Sequence, residues 1–199
     1  MDILVATSNK GKLKEIKAIL GDLNGVRILS LNDVNCGDIK VEETGKTFQD
    51  NALIKAKAYG DRFNFTTLAD DSGLEVDFLG GAPGINSARY AGVGADDKML
   101  FTKLLKNMEK AGAHERKARF KCVACLYDPR TKKSIFTEGV CEGEIAFEPH
   151  GNNGFGYDPV FVADGFNGKT MAELPPETKN QISHRARAIT ALKGKIKGL

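Results

Sequence analysis

No apolar run in this chain approaches the ~20 residues that a bilayer-crossing helix requires. The opening, Met1-Asp2-Ile3-Leu4-Val5-Ala6-Thr7, has no basic stretch ahead of its short apolar run. That start reads as a first strand, and the chain as cytoplasmic with no membrane partner. Charge excess is lacking as well: 29 Lys+Arg against 26 Asp+Glu leave a formal net charge of +3. No global field therefore draws the chain to nucleic acid or to an anionic surface. Basic residues thicken only near the end, in His184-Arg185-Ala186-Arg187 and in Lys193-Gly194-Lys195-Ile196-Lys197. A solvated helix face is the plain explanation there, and a nucleic-acid-binding module the rival. The four cysteines, Cys36, Cys122, Cys125 and Cys141, make neither a disulfide framework nor a zinc ribbon. Cys122 and Cys125 spell C-x-x-C, but their surroundings read as a strand, where residues three apart point to opposite faces, and no second pair completes a tetrahedral site. They are expected to be buried, reduced thiols. Repeats, low-complexity tracts and linkers are absent too. The 199 residues, 41% of them hydrophobic, are thus expected to form a single domain over 1–199 with one substantial core or two lobes sharing a sheet.

What is present alternates strand and helix early and accumulates hairpins later. A strand over about 3–7 leads into Ser8-Asn9-Lys10-Gly11-Lys12 and then a helix with Leu13, Ile16, Lys17 and Leu20 at i, i+3, i+4, i+7. After a short strand near 26–31, Thr47-Phe48-Gln49-Asp50 resembles a capping box opening a helix to about Tyr59, with Phe48, Ala52, Ala56 and Tyr59 on one stripe. A strand over 66–69 is expected to end at Asp70-Asp71-Ser72-Gly73, and a second strand to return over 74–79. Asp96 or Asp97 caps a helix to about Lys110, and strands near 119–127 and 134–141 form a hairpin across Asp128-Pro129-Arg130. A last helix is expected from about Glu177 to Lys195, with Pro176 in its first turn. The sum predicts an α/β fold: a mixed central sheet with flanking helices, in two lobes with an active-site cleft between them.

The run Leu68-Ala69-Asp70-Asp71-Ser72-Gly73 carries the most chemistry. Paired acids at a strand end can hold a hard cation and deprotonate a water, which points to a metal-assisted hydrolase; taken alone, the run is also ordinary turn chemistry. Glu42 and Glu43 form a second acidic pair. Mg²⁺ takes one or two protein carboxylates plus waters and substrate phosphates, so one residue of each pair suffices. Ser8 to Lys12 lies between strand and helix, where backbone N–H groups and the helix dipole accept phosphate and Lys10 or Lys12 can offset its charge; the Walker A frame is absent. Gly154-Phe155-Gly156-Tyr157-Asp158-Pro159 sets a flat ring between glycines, where it can stack on a base, with Asp158 able to accept from a base edge or sugar. Lys179, Ser183, His184 and Arg185 make a donor-rich group suited to a carbonyl-bearing base. On one regular helix, however, Lys179 and Ser183 share a face and Arg185 projects away from it.

Taken together, these segments resemble the inosine triphosphate pyrophosphatase family over nearly the whole chain. The resemblance rests on Thr7-Ser8-Asn9-Lys10-Gly11-Lys12, Glu42-Glu43-Thr44-Gly45-Lys46-Thr47-Phe48, Ala69-Asp70-Asp71-Ser72-Gly73-Leu74, Gly80-Gly81-Ala82-Pro83-Gly84-Ile85, Ser87-Ala88-Arg89-Tyr90, Gly154 to Pro159 and Ile182-Ser183-His184-Arg185. It implies a two-lobed α/β fold, a homodimer, and Mg²⁺-dependent cleavage of the purine nucleoside triphosphates ITP, dITP and XTP to monophosphate and pyrophosphate. Residue by residue, it implies that Thr7, Ser8, Asn9, Lys10, Gly11 and Lys12 hold the phosphates, that Glu43 and Asp71 bind Mg²⁺, and that Asp71 also activates the water. Ser72 would contact substrate; Phe155, Gly156, Tyr157 and Asp158 would shape the nucleoside pocket; Lys179, His184 and Arg185 would address the base. The family's first motif often has Gly after Thr, where this chain has Ser8. Rival readings are a pyrophosphatase for other modified or normal nucleotides, the nucleic-acid-binding module, and a domain that senses nucleotides without hydrolysing them.

Overall fold

A computed structural model describes residues 1–36, 39 and 41–196; Lys197, the last of the basic run, lies outside them. Among the described residues, six strands form one sheet in the order β2-β1-β3-β4-β5-β6. They are β1 (Asp2–Val5), β2 (Arg27–Ser30), β3 (Thr66–Val76), β4 (Lys117–Asp128), β5 (Lys133–Ile145) and β6 (Phe161–Ala163). β1 is parallel to both β2 and β3, whereas β5 and β6 are antiparallel, so the sheet is mixed, as the alternation of elements predicts. No helix of the described residues is long and apolar enough to cross a membrane.

The chain divides into two compact units. The first comprises Met1–Asp71, Cys122–Gly139 and the described residues from Arg185 onward; the second comprises Ser72–Lys121 and Val140–His184.

Parallel strands need long crossovers, and in the first unit helices supply them. Helix α1 (Lys10–Leu20) connects β1 to β2, and α2 (Phe48–Phe63) connects β2 to β3. The Thr47 hydroxyl and the Asp50 carboxylate form the expected capping box at the start of α2. Its stripe of Phe48, Ala52, Ala56 and Tyr59 is buried. Ile3, Val5, Ile16, Leu20, Leu68 and Leu126 pack with Ile189 and Leu192 of the last helix. Each such side chain contributes about 1.5–3 kcal/mol when fully buried. The second unit has its own core, in which Leu74, Val76, Leu104, Met108, Phe120 and Phe161 are central. Helix α3 (Asp97–Asn107), capped by the Asp96 carboxylate on the Met99 N–H, lies over it with Leu100 and Leu104 buried. All four cysteines are free and buried.

Two expectations need correction. Asp70-Asp71-Ser72-Gly73 is not a turn: β3 runs unbroken through it and on to Val76. Turn propensity treats the two carboxylates as groups that must reach water, but both find buried cationic and amide partners, so the strand continues. The last helix is not continuous either. Helix α4 (Pro176–Ile182) ends at Ser183, whose extended backbone (φ −64°, ψ 152°) separates it from α5 (His184–Ile196). That is the backbone geometry of a residue preceding a new helix.

Candidate active site

The first unit builds an acidic centre on β3. Asp70 and Asp71 are neighbours on a strand, so their side chains leave opposite faces and find different partners. Asp70 is 2% exposed. Its Oδ2 accepts from Lys12 Nζ at 2.9 Å and from Arg185 Nε at 3.2 Å. Arg185, itself 2% exposed, donates through Nη1 to Glu15 Oε2 at 2.6 Å. Burial works against the Asp70 carboxylate, but Lys12, Arg185 and Lys55 outweigh it and hold its pKa far below the ordinary range. Burial and the Asp70 charge together push the thiol of Cys122, 3.8 Å from Asp70, well up.

Asp71 faces α2. Asn51 and Lys55 lie one helical turn apart on that helix and reach both of its oxygens: Asn51 Nδ2 donates to Oδ2 at 3.1 Å and Lys55 Nζ to Oδ1 at 3.4 Å. The same ammonium pairs with Glu43 Oε1 at 3.2 Å. The loop carrying Glu43 is tied to the helix by the Gly45 N–H, which donates to Asn51 Oδ1 at 2.8 Å. A Cβ at Gly45 would stand 2.5 Å from Asp50 Cβ and 2.6 Å from Asn51 Oδ1, so only glycine lets the loop come this close. Burial raises the Asp71 pKa above its ordinary value, with Glu43 adding to the rise and Lys55 and Lys12 opposing it. Lys55 is raised: burial would lower it, but Asp71, Asp70 and Glu43 prevail. Of the two acidic pairs, then, Glu43 and Asp71 share one cation, while Glu42 is exposed and Asp70 belongs to the Lys12 and Arg185 network.

This arrangement fits a hard divalent ion. Two carboxylates already converge on a single positive charge, and no described group of three or more His, Cys, Asp or Glu offers an all-protein cage. An ion that keeps waters and takes substrate phosphates needs no more than that. Lys12 connects this centre to the turn where β1 enters α1. Asn9 caps α1, its Oδ1 accepting the Lys12 N–H at 3.0 Å, and its own N–H donates to Thr7 Oγ1 at 3.2 Å. Ser8, Asn9 and Lys10 are exposed at this helix N-terminus. Ser72 follows Asp71 in β3 and is half-buried.

In the second unit, Asp158 organises a separate group. Its Oδ2 accepts from the Phe155 N–H at 2.7 Å and from Lys179 Nζ at 2.6 Å. Lys179 Nζ lies 4.5 Å from the Phe155 ring centroid. Gly154 has φ +78°, and a Cβ there would fall 2.0 Å from Asp158 Oδ2, so the turn requires glycine. Gly156 also has positive φ. The Tyr157 hydroxyl donates to the Ser87 carbonyl at 2.8 Å, and burial pushes the phenol up. The His184 imidazole stacks on Phe120 with centroids 4.6 Å apart and planes 10° from parallel.

Of the three expected base donors, Lys179 and His184 belong to the second unit and Arg185 to the first. The chain passes from the second unit to the first between His184 and Arg185, and the Arg185 guanidinium is buried against Asp70 and Glu15. Asp158, expected as an acceptor for base or sugar, anchors Lys179 and the Phe155 turn. Sequence reasoning missed Glu15, Asn51 and Lys55. The signal for the last two was their i, i+4 spacing, one position before Ala52 and Ala56 of the buried stripe. Polar side chains so close to a core face need partners.

Comparisons agree with this architecture. A family model described as the Ham1 family matches residues 3–195. The dITP/XTP pyrophosphatase of Listeria innocua is 50% identical over 96% of this chain and 92% of its own length. That of Oceanobacillus iheyensis is 46% identical over 96% of this chain and 95% of its own. Among solved structures, a HAM1 protein from Coxiella burnetii superposes with a TM-score of 0.89 at 40% identity, covering 100% of both chains. The Staphylococcus aureus Ham1 protein does so with a TM-score of 0.86 at 41% identity, covering 100% of this chain and 99% of that one.

Proposed function

The chain belongs to the Ham1 family, and from that premise we propose that it is a nucleoside triphosphate pyrophosphatase hydrolysing the deaminated purine nucleotides ITP, dITP and XTP to monophosphate and pyrophosphate. The observation that carries the reading is the pair Glu43 and Asp71 facing one cation in the first unit, with Lys12 of the α1 turn bonded to Asp70 beside them.

In this reading Thr7, Ser8, Asn9, Lys10, Gly11 and Lys12 hold the polyphosphate through the exposed N–H groups and positive end of α1 and through the lysine ammoniums. Glu43 and Asp71 would hold Mg²⁺, which when bound would neutralise charge on the phosphates. Asp71 takes the proton of the attacking water. Ser72 contacts the substrate. Phe155 offers its ring to the base on a turn shaped by Gly156, Tyr157 and Asp158, and Lys179 and His184 present donors to a 6-keto group. An adenine 6-amino group would leave those donors unpaired, which disfavours ATP. Arg185 serves through Asp70, holding the strand and Lys12 in place. A homodimer and a cytoplasmic location complete the proposal.

Identifying the phosphorus products from ITP, dITP, XTP, ATP and GTP tests it. Pyrophosphate release favouring the deaminated purines is expected; orthophosphate as the primary product, or equal rates on ATP, would refute it. His184→Ala is expected to lower the ITP to ATP ratio of kcat/KM by about tenfold, the loss of one buried donor. An unchanged ratio removes His184 from base recognition. Lys179→Ala is the poorer probe, because it strands the buried Asp158 carboxylate.

A further inference from the structure

Lys55 occupies the place that a divalent ion needs. Among the described residues its ammonium pairs with both Glu43 (3.2 Å) and Asp71 (3.4 Å), and its side chain is only 12% exposed. Asp71 has its other oxygen on Asn51, so each Asp71 oxygen already has a donor from α2. A buried and a half-buried carboxylate without a counter-charge would repel one another and lose hydration. A lysine can fill that role and leave: its ammonium is a point charge on a flexible four-carbon stem, whereas Asn51 is fixed by the Gly45 N–H.

We infer that Lys55 is a placeholder for the metal: its ammonium neutralises Glu43 and Asp71 when no divalent ion is bound, and the ion enters by displacing it. This rests on the proposal that Glu43 and Asp71 are the metal-holding pair. Ammonium and divalent ion cannot both lie between the same two oxygens, so Lys55 lowers affinity for metal in the nucleotide-free enzyme while keeping the site assembled. It is a positioning residue with a cost, and the cost is measurable without turnover.

The test is Mn²⁺ binding to the nucleotide-free protein, read by the loss of the free-ion paramagnetic resonance signal. Lys55→Met is expected to bind Mn²⁺ about tenfold or more tightly than the unaltered protein, a modest figure for removing a like charge a few ångströms away. Lys55→Arg, which keeps the charge and grips two carboxylates with a fork, is expected to bind no more tightly. In the unaltered protein, pulse acylation with acetic anhydride and peptide mass spectrometry should show Lys55 modified several-fold faster with Mn²⁺ than without, and exposed Lys132 unchanged. Tighter binding by Lys55→Arg, equal or weaker binding by Lys55→Met, or Lys55 acylation indifferent to a bound ion each overturns the inference. Glu43→Gln separates the two levels. If it abolishes Mn²⁺ binding while Lys55 acylation in the unaltered protein is indifferent to bound Mn²⁺, the pair holds the ion and the placeholder role fails. If it leaves Mn²⁺ affinity untouched, the metal-holding pair itself is wrong. Should Lys55→Met fold only with Mn²⁺ present, the placeholder role is supported directly.

Discussion

Asp71→Asn is expected to lower kcat for ITP by about 10²–10⁴-fold, the usual contribution of a positioned general base, in an assay replete with divalent metal. Binding of ITP should survive. The substitution keeps the shape of the side chain, and its amide oxygen can still accept from Asn51 or Lys55, but its NH₂ then faces the other donor and one of the two hydrogen bonds is lost. Basicity and one negative charge are lost. The α1 turn, Lys12 and the Phe155 group are left in place, and these carry most of the proposed contact with the nucleotide. Pyrophosphate release at saturating ITP measures the first expectation, and calorimetric titration with ITP the second. Near-normal kcat would take proton transfer away from Asp71. Loss of ITP affinity matching the loss of rate would make it a binding residue and return the question of the base to Glu43.

What the sequence revealed here was local. The Thr47 and Asp50 capping box, the Phe48 to Tyr59 stripe and the turn closed by the Asp128 carboxylate on the Arg130 N–H are all specified within a few residues, and each stands where the pattern puts it. The entry to α1 is local too, Asn9 capping it on the Lys12 N–H, but the helix begins at Lys10 and not after Lys12 as the spacing suggests. The error at Asp70-Asp71-Ser72-Gly73 has the opposite origin. The partners that let two acids sit in mid-strand are 58, 115 and 20 residues away, at Lys12, Arg185 and Asn51. Propensity assigns the acids to water because it cannot see those partners. Ser183 is an intermediate case. Ideal helical rotation sets Arg185 apart from Lys179, and that mismatch marked a place where one regular helix and one shared ligand were incompatible; the chain resolves it with a break. Of the basic residues near the end, Lys193 pairs with Asp22 and Lys195 donates to the Phe136 carbonyl. Composition near a terminus was therefore a weak guide to binding.

Asp70→Asn should cost the fold about 3–5 kcal/mol at neutral pH, the penalty for removing one partner of a buried ion network. For a chain of this size that corresponds to a fall in Tm of about 6–20 °C. The substitution isolates charge from shape. Oδ2 accepts from Lys12 and Arg185, whereas Oδ1 has no hydrogen-bond partner among the described residues, so an amide can turn its oxygen to the two cations and its nitrogen to the Oδ1 position. Both hydrogen bonds then persist, while the carboxylate's charge is lost and a buried NH₂ replaces Oδ1, in a site where Asp70 and Arg185 side chains are 1% and 2% exposed. The pH dependence has a definite sign. The folded pKa of Asp70 lies below that of the unfolded chain, about 3.9, so its stabilisation is fully present above that value and fades as pH falls below it. The gap between the unaltered protein and Asp70→Asn is therefore widest near pH 7 and narrows below about pH 4, where the unfolded carboxylate takes up its proton. Urea unfolding at a series of pH values from 7 to 3 would measure it. A gap that stays constant would mean that the side chain's shape, and not its charge, holds Lys12 and Arg185. A narrowing gap makes Asp70 the electrostatic link between the α1 turn and the start of α5, two segments brought to β3 by one carboxylate.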